Sequence, residues 1–316
     1  MIELIKSGTN YDFTSKFSVT SVCSGFLVVI ALVGLFTKMN YGVDFRGGAE
    51  IQAKFSDQFK ISDLRTALKK GGFKGASVQS IGEASDKEVI IKVLADEKSL
   101  NKVAQAVSVS LKASFKDKGG VVIRKVDIVG PKAGAQLRIS GFQAMGFALI
   151  FIMIYIGIRF DFKYSPGAIA ALLHDVSIIL GIFAFTGTEF TLQTVAALLA
   201  VIGYSVNDTV IVYDRVREHE EKYPGQTLST HINNAVNETL SRTVLTSGTT
   251  LFISLAMYFF GGPAIKDFFM AISLGVIIGT YSSIFVAAPV TLLFDRLNQK
   301  SSEGKKVDTS TAQHAK

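Results

Sequence analysis

Six long apolar runs constrain this chain more than any other feature of its sequence. Each run is long enough to cross the hydrocarbon core of a bilayer as a helix, which takes ~18–20 residues. None of the predicted spans contains more than two Asp, Glu, Lys, Arg or His side chains. The sequence therefore predicts a polytopic α-helical membrane protein with six transmembrane helices. The predicted helices are residues 17–37, 139–158, 166–187, 190–213, 235–260 and 268–294.

The first apolar run could be mistaken for a signal peptide. Its apolar stretch is longer than a typical signal core, and no small-x-small cleavage site follows it, so we expect a retained anchor. The single cysteine, Cys23, lies inside this run. The chain therefore has no internal disulfide, and we expect Cys23 to act as a small packing residue.

The distribution of basic residues predicts the orientation in the membrane. Lys and Arg are concentrated in residues 1–16, after the second helix, in the loop 214–234 and in residues 295–316. The positive-inside rule places these segments, and with them both chain ends, in the cytoplasm. The end of the chain is low in hydrophobic residues, and we expect it to be disordered.

Residues 38–138 form the one long segment predicted on the opposite, extracytoplasmic side. Residue alternation and helical spacing predict the order β-α-β-β-α-β, which is an α+β ferredoxin-like domain inserted between the first and second helices. The predicted strands are residues 49–55, 76–82, 88–94 and 121–129. The predicted helices are residues 63–70, capped by Ser62, and 97–116.

The inserted domain is basic, and residues 50–138 carry the same net charge as the whole chain, +7. This charge is consistent with a solvated surface, or with contact to anionic headgroups or an acidic polypeptide at low salt. The domain has no His or Cys, and the chain shows no nucleotide loop, nucleophile elbow or metal-ligand spacing. We therefore predict that the protein is not an enzyme and has no metal site, and we expect no nucleic-acid partner.

One carboxylate lies inside the fourth apolar run, where insertion costs roughly 2.5–3.5 kcal/mol. Asp208 shares a helix face with Ser205, whereas Asn207 is rotated by about 100° from it. On the fifth helix, Arg242 and Thr246 belong to a second polar stripe. The accessory candidates for a proton pathway are Ser205, Asn207, Thr246 and Asp175. Matched depth predicts that Asp208 can pair with Arg242, either as a structural ion pair or as a proton-binding site. Burial favours the neutral carboxyl, and the arginine favours its ionised form.

Two further features of the membrane helices leave alternatives open. His174 and Asp175 lie in the third helix, and we expect them to stabilise its cytoplasmic edge, with Asp175 as a second proton-binding candidate. The sixth helix carries a small-xxx-small seam, which predicts either ordinary close packing or a sliding surface. The seam consists of Ala271, Gly275, Gly279, Ser283 and Ala287.

Four motifs resemble those of one known family. GVDFRGG (42–48), directly after the first helix, is similar to the glycine element of the SecD/SecF family of protein-export membrane proteins. GYSVNDTVIVYDRVRE (203–218), SRTVLTSGTT (241–250) and GTYSSIFVAAP (279–289) resemble its fourth, fifth and sixth helices. We expect a tight structural turn at the first motif, formed by Gly42, Asp44, Gly47 and Gly48.

The resemblance implies a function that charge and periodicity alone do not give. It implies a subunit of the Sec translocase in the bacterial inner membrane that pairs with SecD to form a twelve-helix, RND-like unit. This unit would associate with the SecYEG channel and use the proton-motive force to promote late export of an unfolded polypeptide. Asp208 and Arg242 match the family's functional positions, protons are the implied coupling ion, and membrane lipids surround the helices.

Two other functions are compatible with the same sequence features. A proton-coupled exporter of lipid or small molecules would share the RND-like core and would need a roomy apolar pocket. A non-conducting scaffold subunit would tolerate Asp208→Asn, because this isosteric change preserves packing.

Overall fold

The computed structural model describes residues 10–73, 75–81, 86–96, 99–116 and 119–299. The helices are α1 (Phe17–Lys38), α2 (Val43–Arg46), α3 (Ile61–Lys70), α4 (Leu100–Ser114), α5 (Pro131–Arg159), α6 (Ser165–Thr186), α7 (Leu192–Lys222), α8 (Leu228–Phe260) and α9 (Pro263–Ser282). The strands are β1 (Asn40–Tyr41), β2 (Gly48–Phe55), β3 (Ser77–Ile81), β4 (Glu88–Leu94), β5 (Val121–Val129) and β6 (Glu189–Phe190).

Six of the helices are long and apolar enough to cross a membrane, namely α1, α5, α6, α7, α8 and α9. This confirms the predicted membrane architecture. After Ser282, α9 passes through one π-helical turn, Ser283–Ala287, and the helical span then continues to Gln299. The predicted disorder of residues 300–316, and everything predicted for residues 1–9, lies outside the described residues.

Several helices are longer than predicted. α5 begins at Pro131, eight residues before the predicted start at residue 139, because a proline in the first turn needs no hydrogen-bond partner for its nitrogen. α8 begins at Leu228 instead of residue 235, and Thr227 caps it by accepting a hydrogen bond from the Thr230 amide at 3.3 Å. The helical span that begins with α9 runs from Pro263 to Gln299 and so extends beyond both ends of the predicted span 268–294. Residues 295–299, predicted as part of a disordered tail, are therefore helical.

The prediction of a cytoplasmic loop over residues 214–234 is wrong. α7 continues to Lys222 and α8 starts at Leu228, so only residues 223–227 connect two long helices. The charged residues that suggested a loop instead form ion pairs on the surfaces of the helices. Arg215 bonds Glu238 across the two helices, and Lys163 bonds Glu220 at 2.8 Å.

The small residues of α9 permit close contact with α7. A Cβ atom added at Gly275 would lie 2.2 Å from Val201 Cγ2, and one added at Gly279 would lie 3.0 Å from Ser205 Cβ. Both distances are too short for a real side chain. The seam predicted on the sixth helix is therefore a site of close packing between α9 and α7.

The domain between α1 and α5 has an antiparallel sheet in the order β3-β4-β2-β5. Together with α3 and α4 this gives the split βαβ arrangement of the predicted ferredoxin-like domain. Ile51 and Ile91 of the sheet pack with Leu64 of α3 and Leu111 of α4, and all four are fully buried. Ser62 does not cap α3, because the helix begins one residue earlier, at Ile61.

The chain enters and leaves this domain at one point. Gly47 and Gly48 both have positive φ angles, +86° and +156°, which glycine adopts without strain. A Cβ atom added at Gly47 would lie 2.7 Å from Pro131 Cα, and one added at Gly48 would lie 2.2 Å from Val93 O. The first residues of the domain therefore lie directly against the start of α5.

Short contacts also join the domain entrance to the loop between α6 and α7. β1 pairs with β6 in parallel, and the Gly42 amide donates to Phe190 O at 2.9 Å. The Oδ2 atom of Asp44, in the predicted turn, accepts a hydrogen bond from the Leu192 amide at 3.1 Å, at the start of α7. The predicted structural turn is thus also a connection between two membrane helices.

One ion pair connects the sheet of the domain to the membrane bundle. Lys92 Nζ on β4 lies 2.9 Å from Glu189 Oε2 on β6, and both side chains are mostly buried. Burial lowers the pKa of Lys92, but the carboxylate of Glu189 outweighs this effect and the pKa is raised overall. The lysine is therefore charged at neutral pH, and the pair holds the domain against the bundle.

Candidate functional site in the membrane

Asp208 is fully buried at the middle of α7. Its Oδ2 atom accepts a hydrogen bond from Ser247 Oγ of α8 at 3.3 Å. Within the described ranges, no group bonds its other oxygen, Oδ1. A buried carboxylate oxygen without a partner is costly, which makes Asp208 a candidate for a functional group instead of a packing residue.

Two further hydroxyl groups bond Ser247 and extend its contact with Asp208. Ser247 accepts hydrogen bonds from Thr280 Oγ1 of α9 at 2.7 Å and from the Tyr204 hydroxyl of α7 at 3.3 Å. Asp208 is thus linked through Ser247 to α8 and α9. Any change in the charge of Asp208 acts on three helices at once.

The predicted ion pair between Asp208 and Arg242 is wrong for the chain on its own. Among the described residues, Asp208 has no salt-bridge partner within 4.0 Å, and Arg242 is exposed on the outer face of α8. Ser247 contacts Asp208 instead. It lies five positions after Arg242, which is about 140° around a helix, so the two side chains belong to different faces.

Two predicted accessory residues do not contact Asp208. The Thr246 hydroxyl donates to backbone carbonyls of its own helix, at Arg242 O and Thr243 O. Asn207 is exposed, as its rotation from Asp208 suggested. The polar stripe predicted on the fifth helix therefore lies mainly on its outer face, and the buried polar residues that face inward are Thr239, Thr243, Ser247 and Ser254.

Asp175 is at the centre of a second polar network. Its Oδ2 atom accepts hydrogen bonds from Ser205 Oγ of α7 at 2.6 Å and from Ser282 Oγ of α9 at 2.8 Å. Its Oδ1 atom lies 2.9 Å from His174 Nδ1. His174 and Asp175 are both more than nine-tenths buried. The prediction that they stabilise the cytoplasmic edge of the third helix is therefore wrong.

The two networks are neighbours along α7. Ser205, which was predicted beside Asp208, bonds Asp175 and lies one helical turn before Asp208. Residues three apart on a helix have Cβ atoms about 5–6 Å apart. The bundle therefore contains two buried carboxylates, each held by hydroxyl groups from other helices.

The sequence alone did not indicate that Ser247 and Ser282 donate to the carboxylates, or that Thr280 donates to Ser247. Each is a small hydroxyl residue in an apolar helix, and such residues usually bond their own backbone. The pattern in the sequence that could have indicated these contacts is the small-residue repeat of α9. This repeat brings the helix close to Ser205 and so to both carboxylates. In the described part of the chain, no group of three or more His, Cys, Asp or Glu side chains is placed to hold a metal ion.

Comparison with known proteins identifies the family. Residues 110–297 match the model of the protein export membrane protein SecD/SecF C-terminal family, and residues 33–58 match the SecD/SecF GG motif. The protein translocase subunit SecF of Rickettsia rickettsii (strain Sheila Smith) is 39% identical over 93% of this chain and 94% of that protein. The chain belongs to the SecF family.

Other SecF relatives and solved structures agree with this assignment. The protein translocase subunit SecF of Magnetococcus marinus is 40% identical over 93% of this chain and 95% of that protein. The crystal structure of SecDF, a translocon-associated membrane protein from Thermus thermophilus, is 31% identical with a TM-score of 0.78. It covers 92% of this chain, which spans only 39% of the SecDF chain.

A second SecDF structure, in a super-membrane-facing form, has a TM-score of 0.71 and is 32% identical. It covers 96% of this chain and 41% of the SecDF chain. The SecF fold described above thus corresponds to a part of a larger SecDF molecule.

Proposed function

We propose that this chain is an auxiliary subunit of the Sec protein translocase. With SecD, it uses the proton-motive force to promote late-stage export of polypeptides across the bacterial inner membrane. The names of its relatives support the translocase role. The SecDF chains, more than twice as long as this one, support a partnership with SecD.

The observation that carries this proposal is the incomplete site around Asp208. A buried carboxylate has one oxygen without a partner in the described residues, and Arg242 lies exposed on the neighbouring membrane helix. An exposed charge inside a span is expensive in lipid, so a protein partner is expected to cover this face. A second six-helix subunit, SecD, packed against α7 and α8 would bury Arg242 and complete the site.

In this proposal Asp208 binds and releases protons that cross the membrane. Its protonation removes a charge that the hydrogen bond from Ser247 otherwise stabilises, and this changes the contacts between α7, α8 and α9. Moving one charge through the membrane potential supplies about 2.3 kcal/mol per 100 mV. Protons are then the coupling ion, and no organic cofactor takes part.

The orientation follows from the basic residues at one end of the bundle. Arg159, Lys163, Arg215 and Arg217 lie at the end away from the inserted domain. By the positive-inside rule that end, with both chain termini, is cytoplasmic. The domain within residues 38–138 then faces outward, where it can contact the polypeptide that emerges from the SecYEG channel.

The test is proton-driven export of a reporter preprotein by vesicles that contain the SecD complex. We expect Asp208→Asn to abolish the stimulation by a proton gradient, because the amide cannot titrate. Asp214→Asn is the matched control, since it makes the same change two turns further along α7 at an exposed ion pair with Arg159. Arg242→Met should resemble Asp208→Asn.

The scaffold alternative predicts a different result. If Asp208→Asn left export and its dependence on the gradient unchanged in an assembled complex, the proton-coupling proposal would be wrong. Assembly is checked by co-purification of SecD with each variant.

A further inference from the structure

The strongest feature that the proposed function does not use is a buried histidine at the wall of a cavity. A cavity of about 510 Å³ lies between α1, α6 and the π-helical turn of α9. His174 lines it and is only 4% exposed, and within the described residues its Nε2 atom has no hydrogen-bond partner. The other ring nitrogen, Nδ1, lies 2.9 Å from Asp175.

The contact with Asp175 selects the form of the imidazole ring. Asp175 Oδ1 is an acceptor when ionised, so Nδ1 carries the proton and donates it. The lone pair of Nε2 is then free and borders the cavity. This arrangement suits a group that exchanges protons between the cavity and the carboxylate.

A second cavity lies between this position and the end of the bundle. It has a volume of about 280 Å³ and lies between the starts of α1 and α8 and the end of the α9 span. Ser21 lines both cavities. The larger cavity also has Ser24 and Ser177 in its wall, so hydroxyl groups mark a route from Arg296 at the helix ends to His174.

We propose that His174 and Asp175 form a second proton-binding site, connected through these two cavities to the side of the membrane away from the inserted domain. The inference rests on the proposed proton coupling and adds a release route to it. When Asp175 is protonated, its carboxyl donates to Nδ1 and the neutral ring carries its own proton on Nε2. The proton of Asp175 then passes to Nδ1, and the proton on Nε2 leaves to water in the cavity. The products are an ionised Asp175 and a neutral ring protonated at Nδ1.

Few other groups compete for this proton. Apart from residues at helix ends, the titratable side chains on helices packed against α6 are Cys23, Tyr155, Tyr204, Asp208, Tyr213 and Tyr281. The tyrosines and the cysteine ordinarily stay protonated near neutral pH. Tyr281 has its ring centre 6.0 Å from that of His174 and bonds Ser24 at 2.9 Å. Asp208 is the remaining acid and belongs to the neighbouring network.

The position of the pair explains how release could move helices. Ser205 of α7 and Ser282 of α9 both donate to Asp175 Oδ2, and an ionised carboxylate accepts these bonds more strongly than a carboxyl that carries a proton on Oδ1. The π-helical turn begins directly after Ser282. Such turns are common at functional sites and mark places where a helix can shift its hydrogen bonding.

The first test asks whether water reaches His174. In a Cys23→Ser background, Ser177→Cys lies in the cavity wall, and Val29→Cys faces outward from α1 with 59% exposure. Both positions are twelve residues from the start of their helices, so their depth is the same. We expect a charged methanethiosulfonate reagent, added to inverted vesicles that contain the full complex, to label Ser177→Cys about tenfold faster, because thiols in hydrocarbon remain protonated and unreactive.

Equal labelling at the two positions would mean that acyl chains fill the cavity, and the inference would fail. The second test uses His174→Gln, whose amide can still donate to Asp175 but cannot relay a proton. We expect this variant to assemble with SecD and to lose both export stimulation and its pH dependence. Asp175→Asn should behave in the same way.

The two proposals fail in different ways. If His174→Gln keeps the pH dependence of the wild type while Asp208→Asn abolishes stimulation, the second site is wrong and the proposed function stands. If Asp208→Asn is silent, the proposed function itself fails. Labelling of Ser177→Cys reports the cavity independently of either result.

Discussion

The residue that best illustrates the chemistry of this bundle is Ser247, because it replaces the charged partner expected for Asp208. A hydroxyl donates one hydrogen bond and leaves the carboxylate free to change its protonation. A close arginine would instead hold it ionised. Among the described residues of this chain, no contacting arginine therefore holds the Asp208 carboxylate in its ionised form.

The residue-scale prediction that depends on pH concerns Glu50 in the inserted domain. Burial raises the pKa of Glu50 above its ordinary value, although Lys92 beside it on β4 acts in the opposite direction. The stability that Glu50 contributes is therefore fully present below its unfolded pKa, about 4.5, and is lost as the pH rises through its folded pKa. We expect Glu50→Gln to raise the melting temperature at pH 7.

The difference between Glu50→Gln and the wild type should disappear as the pH falls below about 4.5, since the wild-type carboxyl is then neutral. Thermal unfolding of the full chain in detergent, followed from pH 4 to 8, measures this. Asp96→Asn removes the same charge at an exposed position and serves as control. A constant offset between Glu50→Gln and wild type at every pH would contradict the burial argument.

At the scale of single elements, α9 depends on its glycines for contact with α7. We expect Gly275→Ala to destabilise the bundle by about 1–3 kcal/mol, because the new Cβ atom would lie 2.2 Å from Val201 Cγ2. Gly203→Ala, on α7, is the matched control, since no atom lies within 4 Å of its added Cβ. Thermal unfolding in detergent compares the two, and equal stability would show that the helices separate without cost.

The sequence predicted the elements better than their contacts. Apolar length was enough to locate six membrane helices, and residue alternation was enough to locate the four strands of the domain. Helix ends were predicted less well. The charged residues after Val212 suggested the end of the fourth membrane helix, but α7 continues beyond the membrane, where charged side chains on its surface are tolerated. The rotation of α8 could not be predicted, since Thr246 and Ser247 have similar polarity and only packing decides which one faces Asp208.

At the scale of the whole molecule, the ion pair between Lys92 and Glu189 fixes the position of the domain. We expect Lys92→Gln to broaden the distance distribution between the domain and the bundle, because a charged contact is lost and the domain is then held by the contacts at its entrance and between β3 and α9. Spin labels at Lys112 and Lys266, in the Cys23→Ser background, report this distance. Both positions are exposed.

The control for this experiment is Lys125→Gln. Lys125 pairs with Asp127 at 2.5 Å on the exposed strand β5 and makes no link to the bundle. Lys125→Gln therefore removes the same charge without affecting the contact between the domain and the bundle. An unchanged distribution in Lys92→Gln would mean that the β1–β6 pairing and the contacts between β3 and α9 hold the domain without the ion pair.

The meeting of Gly47 and Pro131 at the base of the domain has an evolutionary consequence. Since the chain enters and leaves at one point, the membrane helices on either side do not need the domain to set their spacing. A descendant could shorten, enlarge or exchange this module by a single insertion or deletion event. A SecF subunit could thus acquire a different inserted module while its six membrane helices stayed the same.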